Sequence, residues 1–410
     1  MEQKMNSFDL LLYNCTAITP REVIKNAVLG IKNKRIEYIG QSTNLLEDKI
    51  IVTEQIDLKG RYLAPGFIDL HVHGGNGFDF FDSDHYGFNK ITEFYAQHGT
   101  TTLMATITTG CFERMTSAIQ NIATFIDNNK SLHGANIAGI YIEGPFCNIK
   151  RKGTFREEYL LSPSWKLIKP WVKDYGDKIA FMGLAPELPG ADKVIEKLIS
   201  NGVKPCIAHS DATFDETKKA LDLGVHHTAH FYNGMRPFHH REPGPLSAIL
   251  LNEGVTTELI CDYYHVHPAA IEILLKLKTP SRVCLVTDGM RAAGLPDGEY
   301  MISEQTAVVE KGRVTIDNRT LAGSVLTMEQ AVKNLFKLGY SLQDTIYMAT
   351  STPAKIAGIE LERGSIEKGK IADLVVLKDD LTVYTTLLNG SQWINNTAQP
   401  KEVGEGFYGS

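Results

Sequence analysis

The sequence of 410 residues lacks the features that mark several large classes of protein. No apolar run approaches the roughly 18 residues of a membrane-spanning helix, and the polar N-terminus has no apolar signal-peptide core. There is no long block of lysine and arginine, and the net charge of −6 comes from mixed signs. We therefore expect a protein that binds neither membranes nor nucleic acid.

Cysteine is sparse, and its distribution gives no sign of a disulfide framework or of a Cys-x-x-Cys metal site. Several cysteines lie inside apolar strand-like runs, where cysteine behaves as a small hydrophobic residue. The six positions are Cys15, Cys111, Cys147, Cys206, Cys261 and Cys284. This pattern predicts a reduced, cytoplasmic protein.

What is present is typical of a globular protein, with 43% hydrophobic and 22% charged residues. Both ends of the chain carry short β-like runs between Asn, Gly and Lys turns. These runs span residues 8–13, 27–31, 35–39 and 50–56, and residues 372–377 and 383–394. Because chain termini often lie close together, we expect residues 1–60 and 362–410 to form one small β-sandwich-like domain.

The middle of the chain, residues 61–361, alternates strand-like and helix-like runs. The strand-like runs are 67–72, 101–106, 137–142, 179–184, 204–208, 226–230, 256–261 and 282–287. Eight such strands predict an α/β protein with a closed (β/α)₈ barrel. An open doubly wound sheet is the alternative, but Gly74-Gly75-Asn76-Gly77 lacks the G-x-G-x-x-G form expected after its first strand.

The first barrel strand ends in His71 and His73, just before Gly74-Gly75. Residues two apart on a strand point to the same face, so both imidazoles leave the strand together. This is one way to place two nitrogen ligands on a metal ion. An isolated His-x-His is as often a pair of unrelated histidines, so other strand ends must decide.

Four later strands also end in groups suited to metal or catalytic work. They end in Glu143, His209, His230 and Asp288. Each of these is individually weak evidence, because a lone histidine or glutamate at a strand end is more often a structural residue. In a (β/α)₈ barrel, however, catalytic groups come from the C-terminal ends of several strands. Their joint occurrence predicts one active site.

The chemistry follows from this set of side chains. Glu143, His209 and His230 would supply three ligands and leave an open position for water, as in catalytic metal sites. A divalent cation lowers the pKa of such a water towards about 7. Asp288 would act as the base, while His71 and His73 would hold a second ion or support the first. The expected reaction is hydrolysis at a carbonyl.

Two further stretches are candidates for substrate contacts. The segment from His230 to Gly244 is rich in arginine and histidine, and arginine suits bidentate binding of phosphate or carboxylate. A solvated charged loop is the alternative interpretation. After strand seven, His265 is placed to polarise a substrate carbonyl and stabilise its oxyanion, although this segment also fits a helix-capping loop.

These motifs resemble the amidohydrolase superfamily, whose barrels open with an apolar strand ending in His-x-His. Within it, the chain is most similar to the N-acetylglucosamine-6-phosphate deacetylase family, from the N-terminal β segment to about residue 378. The similar segments are 64–69, 143–146, 152–154, 184–187, 208–210, 230–244, 285–298 and 321–324. The resemblance implies a barrel with a β-sandwich-like domain from both termini. It also implies hydrolysis of N-acetyl-D-glucosamine 6-phosphate to D-glucosamine 6-phosphate and acetate.

The resemblance also implies roles for individual residues. Glu143, His209 and His230 match the metal ligands, Asp288 the acid/base, and His265 the carbonyl-contacting histidine. The matches to substrate-binding positions are Thr154, Asn233, Gly234, Arg241, His265, Leu321, Ala322 and Gly323. The implied cofactor is one divalent cation (Zn, Fe, Mn or Co), with room for a second at His71 and His73. A homodimer is implied too, in which Arg241 reaches the neighbouring active site.

Two departures from the family pattern leave alternatives open. Tyr263 stands where glycine is common, and Phe155 stands where many members have histidine. A lost polar contact and an added ring make N-acetylgalactosamine 6-phosphate an alternative substrate. Another amidohydrolase, such as a cyclic amidase or a base deaminase, is a further alternative. Many cyclic amidases bridge two metals with a modified lysine, but no lysine stands at the end of strand three or four here. A non-catalytic sugar-phosphate sensor would not need Asp288 or the full ligand set.

Overall fold

The structure is a computed structural model that describes residues 6–41, 50–128, 134–302 and 304–395. The parts of the predicted small domain at residues 1–5, 42–49 and 396–410 lie outside this range. No helix in the described part of the chain is long and apolar enough to cross a membrane. All six cysteines are unpaired, and five of them are buried.

The N-terminal segment forms strands of a mixed sheet. They are β1 (Asn6–Ile18), β2 (Val23–Lys32), β3 (Arg35–Gln41), β4 (Ile50–Asp57) and β5 (Tyr62–Pro65). β2 and β3 form a hairpin across Asn33 and Lys34, whose φ angles of 49° and 66° fit a two-residue turn with positive φ. Leu10, Leu12 and Leu29 are buried in the core of this sheet.

The next strands build the barrel and a two-stranded ribbon at its mouth. The barrel strands are β6 (Phe67–Val72), β9 (Thr100–Ile107), β10 (Asn136–Glu143), β11 (Ile179–Leu184), β12 (Lys204–Ile207), β13 (His227–Thr228), β14 (Thr256–Ile260) and β15 (Val283–Val286), and the ribbon is β7 (Gly74–Gly75) with β8 (Phe78–Asp79). All eight barrel strands are parallel, in the order β15-β14-β13-β12-β11-β10-β9-β6. A parallel bridge between Val72 and Gly289 joins the two ends, and His73 N donates to Gly289 O at 2.8 Å. The predicted fold class is confirmed.

Helices cover the outside of the barrel. They are α1 (His85–Gln97), α2 (Phe112–Asn128), α3 (Trp165–Tyr175), α4 (Ala191–Ser200), α5 (Phe214–Asp222), α6 (Gly244–Leu251), α7 (Pro268–Leu277), α8 (Met328–Lys337), α9 (Leu342–Ala349) and α10 (Ser351–Ala357). Local sequence sets several of their ends. Thr213 and Glu216 form a capping box that starts α5, and Ser341 accepts from Asp344 N at the start of α9. Their buried faces join the main hydrophobic core.

An antiparallel sheet follows the last barrel strand, where the sequence analysis predicts no element. It comprises β16 (Gly298–Ile302), β17 (Gln305–Glu310), β18 (Arg313–Ile316) and β19 (Thr320–Leu321). It has its own small core, which includes Ala307, Val309 and Val314. Its last strand leads into residues 321–323, so this insertion delivers that segment to the mouth of the barrel.

The chain ends in the sheet in which it began. β20 (Leu374–Leu377), β21 (Val383–Leu388) and β22 (Gln392–Asn395) extend it, and β5 pairs in parallel with β1 and antiparallel with β20. The sequence analysis predicts a domain division at residues 1–60 with 362–410, and 61–361, and we propose this division with one change at its first boundary. Because β5 lies in the terminal sheet, the small domain would include those residues as well.

Candidate metal centre and active site

The carboxyl ends of the barrel strands surround a cavity of about 330 Å³, within the range of small-ligand sites. Most of the predicted site residues line it. They are His73, Glu143, Thr154, His209, His230, Asn233, Gly234, His265, Asp288, Leu321, Ala322 and Gly323. Two predicted residues do not line it: His71 lies fully buried below the floor, and Arg241 is exposed outside.

Glu143, the last residue of β10, stands at the centre of the cluster. Its Oε1 atom lies 2.7 Å from His230 Nε2 and 3.1 Å from His209 Nε2, and its Oε2 atom lies 3.3 Å from His73 Nε2. Burial alone raises the pKa of Glu143, but hydrogen bonds from these histidines and from His71 outweigh it. The pKa therefore lies well below its ordinary value, and the carboxylate is ionised.

Asp288 is the second carboxylate and faces the two histidines of β6. Its Oδ1 atom lies 3.2 Å from His73 Nε2 and 3.7 Å from His71 Nε2. Burial raises the pKa of Asp288, but the hydrogen bond from His73 and the charge of His71 lower it more. For His73, burial lowers the pKa, while Asp288 and Glu143 raise it to about 9. The carboxylates of Glu143 and Asp288 are thus both ionised in one buried pocket, and nearby positive charge is needed to stabilise them.

Hydrogen bonds on the far side of the rings fix how two imidazoles face Glu143. His209 Nδ1 lies 2.7 Å from the carbonyl oxygen of Arg151, and His230 Nδ1 lies 3.2 Å from that of Asn233. A carbonyl oxygen can only accept, so Nδ1 keeps the proton in both rings. Nε2 is then the atom that donates to the carboxylate when protonated or offers a lone pair to a metal when not.

The backbone bends sharply where three of these side chains leave their strands. His209, His230 and Asp288 have φ angles of 45°, 23° and 51°, in the left-handed region that non-glycine residues rarely adopt. Such strain costs on the order of 1–3 kcal/mol per residue and persists only where the surrounding structure enforces it. These bends follow directly after β12, β13 and β15, and the first two bring an imidazole against Glu143.

The donor set fits a divalent metal ion. Among the described residues, two groups offer ligand atoms within 4.8 Å of one another: His71, Glu143 and His230, and His71, His73 and Asp288. His209 is in neither group, although its Nε2 approaches Glu143 Oε1. The buried atoms His71 Nε2 and His73 Nδ1 have no hydrogen-bond partner in the described part of the chain. Imidazole with carboxylate suits Zn, Fe, Mn or Co, so these residues can hold such an ion.

His265 lies at the rim after β14, and Asp262 holds it on two sides. Asp262 Oδ1 accepts from His265 N at 2.8 Å, and Oδ2 lies 2.7 Å from His265 Nδ1. A carboxylate oxygen can only accept a hydrogen bond, so Asp262 fixes the ring with a proton on Nδ1. The ring lines the cavity, where its other nitrogen, Nε2, is the atom available to a substrate oxygen.

The sequence analysis missed one charged residue of the cavity. Arg319, between β18 and β19, is the only lysine or arginine among the described residues that line it. Its guanidinium makes no ion pair or hydrogen bond within the described ranges. Arg241, by contrast, places Nη1 2.9 Å from His240 Nε2 at the surface. The one feature of the sequence that could have predicted Arg319 as a cavity residue is its position two residues before the Leu321-Ala322-Gly323 stretch.

The two departures from the family pattern differ in their relation to the cavity. Phe155 lines it, with its ring centroid 4.4 Å from that of His209. Tyr263 does not line it, and its hydroxyl instead donates to the carbonyl oxygen of Asn334 on α8. An effect on substrate contacts is therefore expected from Phe155 rather than from Tyr263.

The sequence and fold were compared with those of known proteins. The model of the amidohydrolase family matches residues 62–393. This chain belongs to the amidohydrolase family. A relative named N-acetylglucosamine-6-phosphate deacetylase from Lysinibacillus sphaericus is 33% identical over 93% of this chain and 97% of its own length. The crystal structure of a protein of the same name from Pasteurella multocida superposes with a TM-score of 0.88 and 30% identity, covering 94% of this chain and 100% of that one.

A relative with a different substrate in its name is about as similar in sequence. The N-acetylgalactosamine-6-phosphate deacetylase of Escherichia coli O157:H7 is 33% identical, covering 80% of this chain and 86% of its own length. The predicted family is confirmed, since amidohydrolases named as sugar-phosphate deacetylases match along nearly the whole chain.

Removing one imidazole from the cluster tests whether it holds metal. We expect His230→Asn to lower the affinity for Zn by at least about tenfold, because its Nε2 and Glu143 would share the ion. His85→Asn, at the exposed histidine that begins α1, is the matched control and should bind like the parent. Elemental analysis after dialysis against buffered Zn gives both affinities. Equal metal content in the two variants would contradict a site at His230.

Proposed function

We propose that this chain is a metal-dependent hydrolase that removes the acetyl group from N-acetyl-D-glucosamine 6-phosphate, giving D-glucosamine 6-phosphate and acetate. The observation that carries the proposal is the convergence of Glu143, His209, His230 and Asp288 on one cavity. The names of the relatives, similar over nearly the whole chain, supply the substrate.

In this proposal Asp288 is the acid/base. Its ionised carboxylate lines the cavity and can take a proton from the attacking water. It then returns that proton to the amide nitrogen, which leaves as the amine. The hydrogen bond from His73 keeps the carboxylate oriented between these two transfers.

His265 is proposed to stabilise the oxyanion. As the acetamide carbonyl is attacked, negative charge grows on its oxygen. Asp262 holds the ring through Nδ1, and a proton on the opposite nitrogen, Nε2, is proposed to donate to that oxygen. Because the ring is already fixed, it needs no reorganisation at the moment of reaction. Asn233, Gly234 and Thr154, which line the same cavity, are proposed to position the sugar.

The proposed cofactor is one divalent cation (Zn, Fe, Mn or Co) held by Glu143, His209 and His230. When bound, it would make hydroxide available near neutral pH and polarise the carbonyl. His71 and His73, with Asp288 nearby, are proposed to hold a second ion.

The 6-phosphate needs cationic partners, and two arginines are candidates. Arg319 lies in the cavity of its own chain, and its guanidinium has no ion pair or hydrogen bond in the described residues. Arg241 lies outside that cavity, so we propose a homodimer in which it reaches the neighbouring site. Arginine suits a phosphate dianion because its guanidinium binds two oxygens at once.

The galacto epimer is the second candidate substrate. The similarity to the N-acetylgalactosamine-6-phosphate deacetylase is the reason to test it. The relatives from Lysinibacillus sphaericus and Pasteurella multocida carry the name of the gluco sugar, which supports the main proposal. The two sugars differ only in the orientation of one hydroxyl, so they share the chemistry described above.

We further propose a cytoplasmic location, in keeping with six unpaired cysteines.

Replacing the proposed base tests the reaction. The parent protein, loaded with Zn, Mn, Fe or Co, is expected to release free amine from N-acetylglucosamine 6-phosphate. Asp288→Asn should lower kcat about 10²- to 10⁴-fold, because the amide cannot take the proton. Asp297→Asn changes an exposed aspartate and should leave kcat unchanged. A parent that turns over neither this sugar nor its galacto epimer would contradict the proposed function.

Replacing the two arginines tests phosphate recognition. We expect Arg319→Ala and Arg241→Ala each to raise KM for the sugar phosphate about 10- to 100-fold, because a charge-assisted hydrogen bond is lost. kcat should change much less. Arg313→Ala, at an exposed arginine of β18, is the control. Unchanged KM in both variants would remove these residues from the phosphate site.

A further inference from the structure

Glu258 is a carboxylate that the proposed reaction does not use. It lies on β14 and points into the barrel, where its side chain is 0% exposed. Moving a carboxylate from water into a protein interior costs several kcal/mol unless hydrogen bonds and charges compensate. The hydrogen-bond partners of Glu258 therefore indicate what this buried carboxylate does.

Glu258 accepts hydrogen bonds from three directions, and two of the partners belong to the candidate metal centre. Its Oε2 atom lies 2.8 Å from His71 Nδ1 and also accepts from the backbone N–H of His230 at 2.9 Å. Its Oε1 atom lies 3.1 Å from His227 Nε2. One buried side chain thus connects the strand that carries His71 to the bend that carries His230.

These contacts determine which nitrogen of His71 is offered to the cluster. An ionised carboxylate can only accept, so the proton of the ring is held on Nδ1. Nε2 then points away from Glu258, 3.7 Å from both Glu143 Oε1 and Asp288 Oδ1. That atom is buried and has no hydrogen-bond partner among the described residues.

We infer that Glu258 is a positioning residue for the second metal ion: it orients His71 so that Nε2 binds that ion. A carboxylate behind a metal-bound imidazole fixes the ring and makes it a better ligand. The inference deepens the proposed function, since it rests on a metal centre at His71 and His73. His227, bonded at Nδ1 to Thr256 Oγ1 at 2.7 Å, stabilises the other oxygen of Glu258.

The test counts ions in a variant that keeps the size of the side chain. In Glu258→Gln a single amide oxygen replaces two carboxylate oxygens, so the three donors can no longer all be satisfied. We expect the affinity for the second ion to fall about 10- to 100-fold, while the first ion, at Glu143, His209 and His230, stays bound. Elemental analysis and Mn²⁺ titration followed by electron paramagnetic resonance give the stoichiometry.

Glu329→Gln is the matched control. Glu329 is also buried and also pairs with an imidazole, with Oε2 3.0 Å from His98 Nδ1, but it lies on α8, away from the cluster. The control should bind two ions like the parent. If Glu258→Gln does not fold, a crystal structure of the metal-loaded parent gives the answer: the inference requires a bond from the ion to His71 Nε2.

Three results would overturn the inference: a parent that binds one ion at saturating metal, a Glu258→Gln variant with two ions at unchanged affinity, or a variant that loses both ions equally. Failure of the proposed function is separable from these. A protein that binds two ions as described but deacetylates neither sugar phosphate would overturn the function and leave the role of Glu258 intact.

Discussion

The ionised carboxylate of Glu143, buried at the mouth of the barrel, is the interaction on which the rest of the site depends. A buried anion is tolerated only if it is paired, and imidazoles from four different positions approach its two oxygens. Their protons or a divalent cation can supply the positive charge. The imidazole of His73 lies between Glu143 and a second buried carboxylate, Asp288. Two negative charges then need compensation, and one divalent cation supplies as much positive charge as two protonated histidines.

The barrel makes this arrangement possible, and its repeating pattern made much of it predictable. Eight apolar runs alternating with amphipathic ones predict a parallel barrel, and the C-terminal ends of its strands must then meet at one mouth. His73, Glu143, His209, His230 and Asp288 could therefore be grouped from sequence although they are far apart along the chain. The closure of the ring, through Val72 and Gly289, brings His73 against Asp288.

Other parts of the site depend on geometry that no local pattern encodes. Arg319 enters the cavity from the turn between β18 and β19. The sequence of this sheet shows no regular alternation of apolar and polar residues, as in QTAVVE of β17, so no pattern predicted it. Glu258 looks like one polar residue in a buried strand. Only the strand order, which leaves β15 alone between β14 and β6, shows that it faces His71. The left-handed backbone at His209, His230 and Asp288 was also not predictable. Positive φ angles are expected at glycine, and nothing in the sequence marks a histidine or an aspartate that adopts one.

The most direct test of the account is an anomalous-difference map from crystals of the protein loaded with Zn or Mn. The account predicts a peak about 2.0–2.3 Å from a carboxylate oxygen of Glu143, with Nε2 of His209 and of His230 as further ligands. Such a peak would show that the strand ends assemble a metal centre around this carboxylate. Metal bound at full occupancy elsewhere, with Glu143 still paired only to protonated histidines, would contradict the account.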